Sequence, residues 1–270
     1  MHSKLLITSG KDLGDYVAKR FFKLSQDDTS SPNSFIEDYG EHRSMTIQEA
    51  IRISQGTWIL KEFFKHAENF PNIAVDNALR FASVFLAEET GEGVPSPASH
   101  VLEPNIKPLW IVESWRAKAV TKFTGTLNHS SVRADSLSQT VHAFAHFSYL
   151  FTKGEMVFAD LQGTPAFNNG ESVTILFDVM THTLHGDSGI GDHGEEGIQS
   201  FLETHTCGEI CAGLDIKGRV AKENDDDEDD DEDTLDRKGK GKADKQLTEK
   251  VEGKFSDDEE DIDQLAKDHD

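Results

Sequence analysis

Short runs of apolar residues, separated by polar stretches, predict several strands in the first half of the chain. Apolar residues surround a single lysine in Tyr16–Phe22, a pattern typical of a strand. Residues 73–87 are apolar enough for one or two more strands, and Leu109–Glu113 predicts a short buried strand. The polar residues 25–45 and the proline-containing stretch 91–98 are expected to form loops.

A long helix is predicted between these strands. Thr46 and Glu49 have the spacing of a capping box, so we expect the helix to begin there and to continue to about Asn69. Its apolar positions recur at helical spacing and should face the core. They include Ile47, Ile51, Trp58, Ile59 and Phe63.

The second half of the chain predicts two further strands and two further helices. Ser136 and Gln139 form a second capping box at the start of a helix. Strands are expected at Met156–Asp160 and Thr174–Phe177, and each runs into an aspartate. A glycine-rich loop at 186–194 precedes the last helix, whose apolar face contains Ile198, Phe201, Leu202 and His205. Because strands dominate the first half and helices the second, we expect the α+β class with two lobes.

Composition separates the last 49 residues from the rest of the chain. Residues 222–270 contain 22 acidic and 9 basic side chains and almost no apolar ones. Such a segment buries too little surface to offset its ordering entropy, so we expect a disordered acidic tail. Its short basic cluster, Arg237–Lys242, is interpreted either as a charge-balanced linker or as a nuclear-localisation patch.

The remaining residues, 1–221, limit the classes of partner. They carry a net charge of −10, which disfavours nonspecific binding to nucleic acid. The chain contains no run of 18 apolar residues, and its first ten residues turn polar too soon for a signal peptide, so we expect no membrane span. With only two cysteines, close together, a reducing cytosol and metal binding are favoured over a disulfide.

Both cysteines lie in a His-x-Cys-x3-Cys segment made of His205, Cys207 and Cys211. If the last helix continues through this segment, the two cysteines share one of its faces. Two thiolates and an imidazole suit tetrahedral zinc, which needs a fourth ligand from elsewhere. The alternative is a pair of ordinary buried cysteines beside a surface histidine.

Three oxygen-bearing side chains follow the predicted strands of the second half. Asp160 ends one strand, Gln162 comes two residues later, and Asp178 ends the next. Carboxylate and amide oxygens are the ligands that Mg²⁺ takes in proteins, usually together with substrate phosphate. The alternative is that each aspartate only starts a turn.

The loop Gly189–Gly194 matches Gly-x-Gly-x-x-Gly and precedes a helix. A dinucleotide-binding fingerprint would require a core strand directly before it and an acidic strand end about twenty residues later. The polar segment 182–188 and the cysteine cluster occupy those places, which excludes the Rossmann interpretation. The loop is therefore either a binding loop for a ligand or peptide, or a tight turn.

In their order along the chain, these motifs resemble the atypical alpha-kinases. That family includes the myosin heavy chain kinases, elongation-factor-2 kinase and the kinase domains of some ion channels. The motifs in order are Lys19, Trp110–Glu113, Asp160–Gly163, Asp178, Gly189–Gly194 and His205–Cys211. The segments Thr140–Tyr149 and Phe158–Gly163 are similar to the fungal branch in particular.

The resemblance covers about residues 14–215 and implies a fold and a metal site. It implies a two-lobed alpha-kinase-like domain over 1–221, with an N-terminal lobe of about 1–112 and a C-terminal lobe of about 113–221. It also implies a structural zinc ion that stabilises the C-terminal lobe by joining two helices. The implied zinc ligands are His146, His205, Cys207 and Cys211.

The same resemblance implies roles in ATP binding and phosphoryl transfer. Lys19 matches a lysine that contacts the ATP phosphates, Lys122 a second lysine near them, and Glu113 the hinge that holds adenine. Asp160 matches the catalytic base or the group that orients the substrate hydroxyl, and Gln162 and Asp178 match the magnesium ligands. The loop residues Gly189, Gly191, Asp192 and Gly194 match a loop that binds the peptide substrate.

The chain departs from the family pattern at three places. No glycine-rich phosphate loop is visible before Tyr16, so we expect a truncated N-terminal lobe. Thr124–Thr126 replaces an asparagine-containing segment, and about eight extra residues separate Asp160 from Asp178. Asp192 replaces an asparagine of the loop, and its charge would disfavour an acidic peptide substrate.

Two functions of different classes remain. The first is an ATP- and Mg²⁺-dependent protein serine/threonine kinase in the cytoplasm, and also in the nucleus if the basic cluster of the tail acts as a localisation signal. The second is a zinc-stabilised pseudokinase, an interaction module whose acidic tail recruits basic protein partners or inhibits in cis.

Overall fold

A computed structural model describes residues 15–21, 39–89, 107–116, 119–130, 133–168 and 170–216, together with the backbone of 3–5. The predicted loop at 91–98 and the predicted tail at 222–270 lie outside these residues. The described elements are, in chain order, β1 (Ser3–Leu5), β2 (Tyr16–Lys19), α1 (Tyr39–Ala67), β3 (Leu79–Phe81), β4 (Val84–Glu88), β5 (Leu109–Ser114), β6 (Thr121–Lys122), α2 (Ser136–Phe151), β7 (Met156–Ala159), β8 (Gln162–Asn168), β9 (Glu171–Leu176), β10 (Met180–Thr183), α3 (Gly194–Thr204) and α4 (Glu209–Gly213).

An antiparallel sheet with the order β1-β2-β5-β4 contains the strand of the predicted lysine. Its central strand β5 is buried from Leu109 to Glu113, as the continuous apolar run predicted. In the register of β2 and β5, Val17 lies opposite Glu113 and Lys19 lies opposite Ile111. β1 pairs with β2, and the truncation of the N-terminal lobe stays a prediction.

Helix α1 begins at Tyr39, seven residues before the predicted capping box. The Thr46 hydroxyl donates to the carbonyl of His42 inside the helix, so Thr46 does not cap it. The predicted apolar face was wrong in part, because Ile51 and Trp58 are 49% and 55% exposed while Ile59 and Phe63 are buried. The predicted loop at 25–45 was also wrong over residues 39–45.

A second sheet has the order β3-β9-β8-β6, and a separate antiparallel pair joins β7 to β10. Residues 73–87 thus supply parts of two strands, β3 and β4, in two different sheets. β3 runs parallel to β9 and brings a segment of the first half of the chain into a sheet made mainly by the second half. The boundary between lobes near residue 112 stays a prediction.

Helix α2 packs against β7, α1 and α4 and is buried over most of its length. It begins at Ser136, but its cap is Asp135, whose side chain accepts from the backbone amide of Ser138, so the predicted Ser136 cap was wrong. Aromatic side chains from α1, β3, α2 and β7 pack in edge-to-face and tilted pairs around it. The fully or almost fully buried rings are Phe63, Phe81, Phe144 and Phe158.

The last predicted helix is two helices. α3 ends at Thr204, and His205 is its extended C-cap residue, so the cysteine segment does not continue it. A short separate helix, α4, begins at Glu209 and contains Cys211, whereas Cys207 lies in the connection between them. The prediction that one helix face presents both cysteines was therefore wrong.

The α+β class is confirmed, but the predicted distribution of its elements was wrong. Among the described elements, the longest helix, α1, lies in the first half of the chain, and four strands, β7 to β10, lie in the second. None of the described helices combines the length and the apolar character needed to cross a lipid bilayer.

Candidate active site and metal centre

The amino group of Lys19 lies between two carboxylates from distant parts of the chain. β5 contributes Glu113, and the turn after β9 contributes Asp178. The Lys19 Nζ to Asp178 Oδ1 distance is 2.6 Å, and Lys19 also forms an ion pair with Glu113. Glu113 pairs in addition with Arg116, whose guanidinium lies 4.7 Å from the ring centroid of Phe177. The predicted phosphate-contacting lysine, hinge residue and magnesium ligand are thus in one cluster.

The electrostatic environment keeps Lys19 protonated. Burial by itself lowers the pKa of Lys19, but the charges and hydrogen bonds of Asp178 and Glu113 outweigh burial and raise its pKa above the ordinary 10.5. Lys19 thus stays positively charged between the two carboxylates. A phosphate group arriving there would meet that charge and also the two carboxylates, so a divalent cation would be needed to compensate them.

Asp160 and Asp178 share an unusual backbone conformation. Their φ angles are 48° and 50°, in the left-handed region that aspartate tolerates better than most residues. Asp160 directly follows β7, and Asp178 is the second residue after β9. The Gln162 amide donates to the backbone carbonyl of Asp178, at 3.4 Å, which joins the two predicted magnesium ligands.

A second ion pair lies between Lys122 and Asp160. The Lys122 Nζ to Asp160 Oδ1 distance is 2.6 Å, with the carboxylate mostly buried and the lysine more than half exposed. β6 and β8 hold it, since Lys122 lies opposite Gln162 in their register. Thr124, which departs from the family pattern, accepts from the amide of Leu161 at 2.9 Å and so supports the turn of Asp160.

A cavity of about 240 Å³ opens beside the Lys19 cluster. Besides Lys19, Glu113 and Asp178, it is lined by two polar residues of α1, Glu49 and Arg52, which the sequence interpretation did not assign to the site. Their i, i+3 spacing on one helix face was the available signal. The other lining residues are Arg20, Phe21, Ile53, Val84, Ile111, Val179, Met180 and Ile190. Lys122, Asp160 and Gln162 are not among them.

The four predicted zinc ligands converge. One ligand atom from each of His146, His205, Cys207 and Cys211 lies within 4.8 Å of the others. Cys207 Sγ is 3.5 Å from His146 Nδ1, and Cys211 Sγ is 3.8 Å from His205 Nε2. Zinc bond lengths of about 2.0–2.1 Å to nitrogen and 2.3 Å to sulfur place tetrahedral N and S ligands about 3.5 Å apart. The donor set and spacing therefore fit this ion.

Protonation in this cluster follows from burial. Burial raises the pKa of Cys211 to about 12, and burial together with the neighbouring histidines lowers the pKa of His205 to about 3. The imidazole is thus in its neutral, metal-binding form. Ionisation of the thiol requires a nearby cation, which a bound metal would supply.

Asp192 organises the glycine-rich loop. Its carboxylate accepts from the amides of Thr183, Ser188 and Gly194 and from two hydroxyls. Burial would raise the pKa of Asp192, but these hydrogen bonds outweigh it and lower the pKa to about 2. Gly189, Gly191 and Gly194 all have positive φ, which explains glycine at these positions. The binding of a peptide by this loop stays a prediction.

Comparison with known proteins identifies the family. The sequence profile of the alpha-kinase family matches residues 3–211, most of the chain. The chain belongs to the alpha-kinase family.

Individual relatives agree with this assignment. Over 91 residues the chain is 33% identical to myosin heavy chain kinase C of Dictyostelium discoideum, an alignment that covers 33% of this chain and 11% of that protein. It is 30% identical over 111 residues to human (Homo sapiens) eukaryotic elongation factor 2 kinase, covering 41% and 14%. The chain thus matches only a small part of these relatives.

The fold also agrees with a solved structure. The alpha-kinase domain of myosin heavy chain kinase A in complex with AMP superposes with a TM-score of 0.51 and 19% identity, covering 76% of this chain and 67% of that one. This similarity confirms the alpha-kinase-like α+β fold.

Proposed function

We propose that this chain is an ATP- and Mg²⁺-dependent protein serine/threonine kinase of the alpha-kinase type, which transfers the γ-phosphate of ATP to a protein hydroxyl. The main support is the position of the Lys19 amino group, 2.6 Å from Asp178 and paired with Glu113 beside the cavity. Lysine, carboxylates and cavity are the parts that nucleotide binding requires.

Within this proposal the cluster binds the nucleotide. Lys19 neutralises phosphate charge, and Asp178 exchanges its ion pair for magnesium, with Gln162 as the second protein ligand. Glu113 lies at the hinge, where backbone groups of β5 hold the adenine. The AMP complex of the related alpha-kinase domain supports nucleotide binding in this fold.

The Lys122–Asp160 pair is proposed to perform the transfer step. Asp160 accepts the proton of the substrate hydroxyl or orients it, and Lys122 stabilises charge on the transferring phosphoryl group. Phosphoryl transfer depends mainly on positioning and charge neutralisation, which suits a mostly buried carboxylate paired with a lysine. The loop Gly189–Gly194 binds the peptide that carries the hydroxyl.

A structural zinc ion is proposed at His146, His205, Cys207 and Cys211. The support is the convergence of the four ligand atoms within 4.8 Å. Zinc there would join α2 to the segment between α3 and α4, and closed coordination by four protein ligands is a structural arrangement. The ion takes no part in phosphoryl transfer.

We also propose a cytoplasmic location, because two closely spaced free cysteines suit a reducing compartment, and nuclear entry through Arg237–Lys242 is a further proposal. The acidic residues of the tail would attract a basic protein partner.

The nucleotide site can be tested by thermal unfolding with Mg²⁺ and ATP. The matched pair is Asp178→Asn and Asp215→Asn, because Asp215 is exposed and also has a left-handed φ, 53°. At a free nucleotide concentration of about one hundred times the dissociation constant, binding should stabilise the native chain and Asp215→Asn by about 2.7 kcal/mol. The stabilisation should need Mg²⁺ and be absent in Asp178→Asn.

Two results would contradict parts of this proposal. Stabilisation that survives Asp178→Asn would contradict the assigned magnesium ligand. No stabilisation of the folded native chain would overturn the kinase and leave the interaction module, the pseudokinase alternative.

A further inference from the structure

Arg52, in the middle of α1, is a buried cation whose side chain is only 5% exposed. Its Nη1 atom donates to Glu49 at 2.6 Å and to the carbonyl of Val179 at 3.1 Å, and its Nη2 atom donates to the carbonyl of Ser188 at 2.8 Å. Arginine is rarely buried without such partners. One helix residue thus bonds to two loop segments that are far from it in sequence.

The two carbonyls belong to different parts of the candidate site. Val179 directly follows Asp178, and Ser188 directly precedes the Gly189–Gly194 loop. A guanidinium is planar and rigid, so bonds to two carbonyls fix their separation, which a lysine ammonium cannot reproduce. Arg52 therefore sets the distance between the metal-binding turn and the glycine-rich loop.

Gly189 supplies independent support for this contact. A Cβ atom at Gly189 would lie 2.5 Å from Arg52 Nη2, and the φ of Gly189 is +120°. The missing side chain leaves room for the guanidinium to reach the carbonyl of Ser188. The position of Arg52 and the composition of the loop thus depend on each other.

We propose that Arg52 is a positioning residue that couples magnesium-nucleotide binding at Asp178 to the conformation of the peptide-binding loop. Glu49 balances its buried charge. This inference rests on the proposed function, since the coupling concerns the nucleotide and peptide of a kinase.

The test compares Arg52→Lys and Arg52→Met with Arg43→Met, a control on the same helix whose exposed side chain pairs with Glu88. The first measurement is amide hydrogen exchange of the full chain without nucleotide. Both Arg52 variants should exchange faster at residues 177–180 and 188–192, while α2 and β7 exchange as in the native chain. Arg43→Met should change neither segment.

The second measurement is the Mg²⁺ dependence of ATP binding. Both Arg52 variants should require about five- to tenfold more Mg²⁺ for half-saturation, in the lower range of measured couplings. Gly189→Ala should reproduce the exchange of the Arg52 variants. In the Arg52→Met background, Gly189→Ala should increase the exchange rates less than it does in the native chain, because the new Cβ no longer meets the Arg52 guanidinium.

The outcomes separate this inference from the kinase proposal. Native exchange and native Mg²⁺ dependence in Arg52→Lys would overturn the positioning role, as would faster exchange throughout α2 and β7 in both Arg52 variants. If the native chain binds no nucleotide, the kinase proposal fails and with it the coupling to nucleotide. Amide hydrogen exchange would then still test whether Arg52 holds residues 177–180 and 188–192 together.

Discussion

Lys19 Nζ lies 2.6 Å from Asp178 Oδ1, although 159 positions separate the two residues. The contact joins the sheet that contains β2 to the turn after β9, and it places a cation and a magnesium-type ligand at one cavity. In the proposed kinase the ion pair must open when magnesium and phosphate enter. The pair is therefore a structural contact that the proposed nucleotide binding would have to break.

Replacing Lys19 by methionine should destabilise the chain by about 2 kcal/mol at neutral pH, less than for a fully buried pair because Asp178 remains partly in solvent. The exposed Lys65→Met is the control. Burial alone lowers the pKa of Lys19, but Asp178 and Glu113 raise it above 10.5. The folded state thus holds this proton more tightly than the unfolded chain.

It follows that the stabilisation by Lys19 is complete below pH 10.5 and is lost as the pH rises through the folded-state pKa. Denaturant unfolding of the native chain and Lys19→Met should show a difference in stability that is constant from neutral pH to about pH 10 and shrinks at higher pH. A difference that grows with pH would contradict the charge arrangement.

Asp160→Asn should separate chemistry from nucleotide binding. The variant should lower kcat by about 10²–10⁴-fold, because it removes the group proposed to accept the substrate proton or to orient the hydroxyl. ATP binding with Mg²⁺ should change little, since Asp178 and Lys19 are intact. Phosphate transfer to a serine/threonine peptide library, measured beside nucleotide binding, checks both. Equal loss of binding and turnover would assign Asp160 to the nucleotide site instead.

The zinc proposal predicts one zinc ion per purified chain by elemental analysis. His146→Ala should lose the ion and lower the melting temperature by about 10 °C or more, because a structural metal contributes several kcal/mol to folding. The exposed His185→Ala is the control. Unfolding with a strong chelator should reproduce the His146→Ala result. Native melting in His146→Ala would exclude a structural metal.

Asp192 should stabilise the glycine-rich loop above its unfolded-state pKa. Burial opposes ionisation, but hydrogen bonds from Ser188, Thr183 and Gly194 lower the pKa of Asp192 to about 2, below the ordinary 3.8. Its contribution is therefore present above pH 3.8 and is lost as the pH falls towards 2. At pH 7, Asp192→Asn should have a lower free energy of unfolding than Asp187→Asn. The difference between the two variants should become smaller when unfolding is measured at acid pH.

Truncation of Phe144 should strongly lower the stability of the folded chain. It is fully buried and in ring contact with Phe63, Phe81 and Phe158. Phe144→Ala should cost about 3–5 kcal/mol through lost burial and the cavity left behind. Phe167, which is 73% exposed, supplies the control, and Phe167→Ala should change stability by less than about 0.5 kcal/mol. Chemical denaturation of both variants gives the comparison.

Local pattern predicted the strands more reliably than the helix ends. The continuous apolar run of β5 identified a central strand, because a strand buried on both faces cannot contain polar side chains without partners. The start of α1 was placed at Thr46, because Thr46 and Glu49 match a capping box. Seven earlier residues are helical, with His42 bonded to the carbonyl of Leu109 and Tyr39 to that of Lys107. Those contacts are tertiary, so no local sequence pattern predicts them.

The sequence by itself determined the family, the candidate ligands and carboxylates, and the order in which they occur, because these depend on residue type and spacing. Only the tertiary structure decided that Lys19 pairs with Asp178, that His146 meets the cysteine segment, and that Arg52 joins two loops. Each of these contacts closes a long stretch of chain, so its formation depends on how sheets and helices pack. Residue spacing fixes neighbours within one helix or strand, and packing alone selects the partners between them.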